Sequence, residues 1–183
     1  MNKFFRSLLV LCCILCTFNA AQAGKVSVLK VGKKKYKNIA KVEPIGTGSG
    51  DDASVSFTGQ KGTGTGTITL ILQGLFGTLE EGATYEVTTG QDSEEGKVSV
   101  NFSTTKTSRK GTSTILASDE ESELVSGSVK VKSLTDQNNF TLLVKAKIKD
   151  NQKNVTKLGE TESTESRSGA AANIKAVLNV TIQ

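Results

Sequence analysis

The sequence has no histidine and no tryptophan, and among its 183 residues only one proline, one methionine and three cysteines. Without an imidazole, Ser-His-Asp and Cys-His machinery and His-ligated metal centres are excluded, because they need a group that titrates near neutrality or a neutral nitrogen donor. Carboxylate, lysine, hydroxyl and backbone chemistry remain. All three cysteines, Cys12, Cys13 and Cys16, fall within the first 23 residues. That stretch reads as a secretory signal: Lys3 and Arg6 form a positive start, Ser7 to Phe18 an apolar core, and Ala21-Gln22-Ala23 a small-x-small cleavage site. The expected organisation is therefore a signal peptide over 1–23 and a single domain over 24–183, exported to a periplasmic or extracellular location. Once the leader is removed, no disulfide and no thiolate metal site is available. No later apolar run approaches the roughly 20 residues that a spanning helix needs, so no integral membrane anchor is expected.

Alternation is what the rest of the chain has in abundance. Val, Ile, Thr, Phe and Tyr recur at every second position, as on a half-buried pleated surface, while helix signals are scarce. The pattern predicts strands over 25–31, 35–43, 53–58, 65–73, 83–89, 97–105, 112–118, 123–134, 139–149 and 173–182. Gly32-Lys33 is a plausible tight turn between the first two. The firmest pairing joins Ser128 to Leu134 with Phe140 to Lys147. In that second strand Leu142, Val144, Ala146 and Ile148 alternate with Leu143, Lys145, Lys147 and Lys149, so one face is apolar and the other wet. Many short strands with turn signals between them predict an all-β fold: an antiparallel β-sandwich of about eight to ten strands, with a closed antiparallel β-barrel as the alternative. Gly46 to Asp52 reads as a flexible loop. Lys149 to Gly169, polar and nearly devoid of apolar residues, reads as a long mobile loop at about 150–170, because it offers little burial to offset its ordering entropy.

Several motifs resemble reactive sites and lack the context those sites require. The glycine-rich stretches Gly46 to Gly50 and Gly62 to Gly66 open no helix and lack a following Gly-Lys-Ser/Thr, so they do not predict a phosphate cradle. Ser103-Thr104-Thr105-Lys106 matches a Ser-x-x-Lys pattern, but on a strand that spacing sends the two side chains to opposite faces. Asp51-Asp52 and Asp92-Ser93-Glu94-Glu95 supply oxygen ligands without a calcium-loop spacing. Paired acids could run glycoside hydrolysis, yet Tyr36 and Tyr85 are the only large polar aromatics available to hold a sugar. Four Asn-x-Ser/Thr sequons occur, at Asn101, Asn139, Asn154 and Asn179, of which Asn154 is expected to be the most accessible.

Charge is uneven. Removing Lys3 and Arg6 from 23 basic residues leaves 21 against 18 acids, a net charge of +3. Between Gly24 and Val42 there are seven lysines and no acid. Lys30, Lys33, Lys34, Lys35 and Lys37 form a candidate anion-binding patch, with anionic polysaccharide or a lipid surface as the class of partner. Nucleic acid is disfavoured, because Tyr36 is the only aromatic there to stack on a base. The plainer reading is a lysine-rich edge strand protected from edge-to-edge pairing. No cofactor is implied. The functional expectation is a secreted, non-enzymatic binding, surface or matrix component, with a barrel carrier of an apolar ligand and a carboxylate-only hydrolase as alternatives.

Overall fold

The computed structural model describes residues 26–38, 43–47, 53–90 and 95–181. The expected signal segment, Gly48 to Asp52 and Gln91 to Glu94 lie outside them, while Gly46 and Thr47, expected in a flexible loop, end a strand. Among the described residues there is no helix. The described residues form thirteen strands: β1 Val28–Val31, β2 Lys34–Asn38, β3 Glu43–Thr47, β4 Ala53–Lys61, β5 Gly64–Leu72, β6 Thr84–Thr88, β7 Val98–Thr107, β8 Ser113–Ala117, β9 Glu123–Asp136, β10 Asn139–Lys149, β11 Asn151–Thr156, β12 Thr164–Ser168 and β13 Ala172–Thr181.

Each of the ten predicted strands has a counterpart; two departures account for the three further strands, and a third concerns strand direction. The stretch expected as one strand over 35–43 is described as two, β2 and β3, which share one edge of β4, where Lys37 faces Gln60 and Glu43 faces Ser56; 39–42 lie outside the described residues. Pro44, which has no N–H to give a ladder, sits on β3, off the main strand path. The segment expected as a long loop contains β11 and β12, paired with each other, and β11 is also paired with β8. Main-chain hydrogen bonding, which side-chain composition does not report, holds this polar hairpin. Nor is the sheet purely antiparallel. Val87 and Thr88 of β6 run parallel to Val98 and Ser99 of β7, giving a mixed sheet.

Strand order is β12-β11-β8-β7-β5-β4-β2-β1-β13-β10-β9-β6, with β6 also paired to β7. The hydrogen-bonded path therefore returns on itself through β7, β5, β4, β2, β1, β13, β10, β9 and β6, while β8, β11 and β12 extend from the far end of β7. Alternation sends one side chain in two to a common core. Leu29, Tyr36, Val55, Phe57, Ile68, Leu70, Val100, Val129, Leu142, Val144, Ile174 and Leu178 belong to one buried cluster drawn from across the sheet. Each such side chain contributes about 1.5–3 kcal/mol through burial. Turns follow local chemistry. Gly32 (φ 58°) opens the β1–β2 turn and Gly62 (φ 60°) the β4–β5 turn, conformations that disfavour a Cβ. The β9–β10 turn is tighter than its sequence suggested, because Asp136 Oδ1 accepts from the Asn138 N–H at 2.8 Å and from Asn139 Nδ2 at 3.0 Å.

Candidate functional site

The predicted lysine patch divides between two places. On β1 and β2 the residues of one parity, Leu29, Val31 and Tyr36, are buried, and Lys30, Lys35 and Lys37 stand on the opposite, exposed face. Neither strand is an edge: β1 lies between β2 and β13, and β2 between β1 and β4. Edge protection therefore does not account for these lysines.

Register shows what they join. Lys35 is directly opposite Lys30, Lys30 opposite Lys175 of β13, and Lys175 opposite Lys145 of β10. Four lysines thus cross four adjacent strands in one line, and with strands about 4.8 Å apart the line is roughly 14 Å long. Lys37 and Lys147, also exposed, flank it one outward position to either side. Like charges set directly opposite on a sheet repel, so the row opposes folding unless something neutralises it. Among the described residues none of these six lysines is ion-paired with a carboxylate. Lys149, on the same parity of β10, is instead held by Glu123 at 2.6 Å, which pushes its pKa up. The lysine alternation of β10 was visible in the sequence. Lys175 was missed, and only strand pairing places it between Lys30 and Lys145.

Lys34 and Lys33 do not belong to this row. Lys33 lies in the β1–β2 turn. Lys34 shares the inward parity of Tyr36 and lines, with Lys61, Lys106, Gly62 and Gly64, a cleft of about 440 Å³ at one end of the sheet. Two of its lysines, Lys61 and Lys106, were not predicted as site residues. Ser103 stands on the other face of β7 from Lys106, as the strand spacing requires, so the Ser-x-x-Lys pattern brings no hydroxyl to the amine.

A third locus gathers acids. Arg167 of β12 donates from Nη1 to Asp119 Oδ1 and from Nη2 to Glu121 Oε2, both at 2.6 Å, and from Nη1 to the Asp150 carbonyl at 3.0 Å. Asp119 Oδ1 also accepts from Ser122 Oγ at 3.0 Å. The Arg167 hydrogen bond, aided by Ser122, holds the Asp119 carboxyl below its ordinary pKa, whereas a general acid needs a raised one. This arrangement acts as a clamp tying the β8–β9 turn to the β11–β12 hairpin. Asn154, expected to be the most accessible sequon, lies within β11 and is half-buried. No protein-family model matches the chain, and neither a curated protein nor a solved structure matches it.

Proposed function

We propose that this chain is an exported, non-enzymatic binding domain that holds a linear anionic polysaccharide along its lysine face. The observation that carries the reading is the unneutralised row Lys35, Lys30, Lys175 and Lys145, in register across four neighbouring strands. A line of like charges that weakens its own sheet is compensated when a polyanion lies across it and releases its counterions. The one-dimensional layout suits a chain-like partner. The return of the strand path through the β6–β7 pair supports the same reading: we take it as a closed barrel, on which the row lies across a continuous surface with no free strand edge beside it.

The test is binding to an immobilised polyuronate at increasing salt, with the Lys30→Gln/Lys145→Gln/Lys175→Gln variant beside the parent protein. Retention is expected to fall steeply between about 0.05 and 0.2 M salt and to be lost in the variant. Retention that survives both salt and the substitutions would dismiss the charge mechanism. Binding to vesicles carrying anionic lipid, with none to the polysaccharide, would replace the partner by a membrane surface.

A further inference from the structure

The cleft at the end of the sheet combines three features that the lysine row lacks: a concave shape, a largely apolar lining and an unused buried donor. Its cations arrive from three strands. Lys34 begins β2, Lys61 ends β4 and Lys106 lies near the end of β7, and no acid lines the cleft with them. None of the three is ion-paired among the described residues.

Tyr36 is only 1% exposed, and its ring lies where a Cβ on Gly66 would come within 2.7 Å of it. A Cβ on Gly64 would meet the Thr105 carbonyl at 2.8 Å. The Gly-Thr alternation of β5 thus puts its glycines on the inner face, where the missing side chain of Gly66 admits the ring and that of Gly64 lets the β7 backbone approach. The Tyr36 hydroxyl is buried and has no hydrogen-bond partner. Thr104 stands near enough to temper the rise in pKa that burial imposes, but not in hydrogen-bond geometry with the phenol; its own hydroxyl donates to the Leu116 carbonyl at 3.4 Å. A buried O–H left unpaired lowers stability by about 1–3 kcal/mol, and such an exception calls for an explanation.

We propose that this cleft is a binding site for a small anionic amphiphile, a carboxylate on an apolar tail. The lysine ammonium groups would hold the head, the apolar lining the tail, and the Tyr36 hydroxyl would give its hydrogen bond to the bound ligand. The volume of about 440 Å³ lies inside the range of about 300–1,000 Å³ usual for small-molecule sites. This site is separate from the lysine row: it lies at the end of the inner face, whereas Lys30, Lys145 and Lys175 stand on the outer one.

Calorimetry with decanoate below its micelle concentration tests the inference on the purified protein, with decanol and inorganic phosphate as comparison probes. Decanoate is expected to bind at one site, at least tenfold more tightly than either comparison probe. The Lys34→Gln/Lys61→Gln/Lys106→Gln variant should weaken decanoate at least tenfold and leave decanol unchanged. Tyr36→Phe, which retains the ring and deletes a hydroxyl with no partner to lose, should weaken decanoate about tenfold without lowering the melting temperature. Equal binding of decanoate and decanol, equal binding of decanoate and phosphate, or full affinity in the triple variant would overturn the proposal. The Lys30→Gln/Lys145→Gln/Lys175→Gln variant separates the two readings: it should abolish polysaccharide retention and leave decanoate affinity intact, and loss of decanoate there would place the amphiphile on the outer face instead.

Discussion

Gly66 shows at the scale of one residue how a missing side chain shapes this molecule. Its neighbour across the core, Tyr36, occupies the space a β-carbon would fill, with three ring carbons between 2.7 and 2.9 Å from the position of that carbon. Gly66→Ala therefore forces the ring of a fully buried tyrosine, or the backbone of β5, to move. Overpacking of this kind typically costs about 1–3 kcal/mol, so a lowered urea midpoint with an unchanged m-value is expected. A midpoint within error of the parent would mean that the ring has room to retreat. The same residue pair explains why the Gly62 to Thr67 alternation was hard to interpret as a sequence. As sequence, its glycines were weighed as a phosphate cradle and set aside, and nothing in β5 itself says that an aromatic from β2 lies over Gly66. In the sequence Tyr36 counted only as an aromatic that could stack on a base or a sugar; the structure buries it, opposite in parity to Lys35 and Lys37, against Gly66.

Among the elements, the β11–β12 hairpin departs furthest from expectation. Its residues carry almost no apolar surface, so composition argued against order, yet β11 has partners on both sides in β8 and β12. The hairpin is tied to the rest of the sheet by its own Arg167, which holds Asp119 and Glu121 of the β8–β9 turn. Because Asp119 has a lower pKa folded than unfolded, its contribution is present above its ordinary pKa of about 3.9 and fades as pH falls through the lowered folded value. Asp119→Asn should thus flatten the acid limb of the stability curve below about pH 4, measured by urea unfolding at stepped pH. Near neutrality the loss is modest, about 0.2–1 kcal/mol for a pair this open to solvent. An unaltered acid limb would show that the clamp does not couple to global unfolding. By contrast, the β9–β10 hairpin was legible in its pairing and in its facing, since the alternation of Leu142, Val144, Ala146 and Ile148 with lysines leaves only one way to bury its apolar row; its register, which shifts at three points along the pair, was not.

Viewed as a whole molecule, the outer surface is divided by chemistry. The face over β2, β1, β13 and β10 carries the lysine row, whereas the face over β4, β5 and β7 is uncharged and hydroxyl-rich. There Ser56 and Thr69 share a hydrogen bond of 3.1 Å, Thr58 and Thr67 one of 3.0 Å, and Thr65 and Thr105 one of 2.6 Å. Cross-strand hydroxyl pairs support the sheet on one side while cross-strand lysine pairs oppose it on the other. Lys175 faces a lysine on both flanks, so Lys175→Gln should stabilise the fold by about 0.2–1 kcal/mol for each relieved pair in low salt. Salt screens the repulsion, and the gain should vanish near 1 M, where the Debye length falls to about 3 Å. Thermal unfolding of the parent and variant at both ionic strengths checks this, and a gain that persists in high salt would assign the effect to something other than charge.

The sequence by itself determined that the chain is all-β, where nine of its strands run and which face of most of them is apolar. These are local properties, written in the alternation of each segment and in the glycines and Asx residues between segments. Only tertiary structure decided that β1 and β2 are interior strands, that the strand path returns through a parallel β6–β7 pair, and that a polar stretch forms a paired hairpin. It also decided which lysines stand together, because Lys30 and Lys175 are 145 positions apart in the chain and become neighbours only through the hydrogen-bond register of two strands. A period of two places each side chain above or below its own strand; it carries no information about which strand lies alongside.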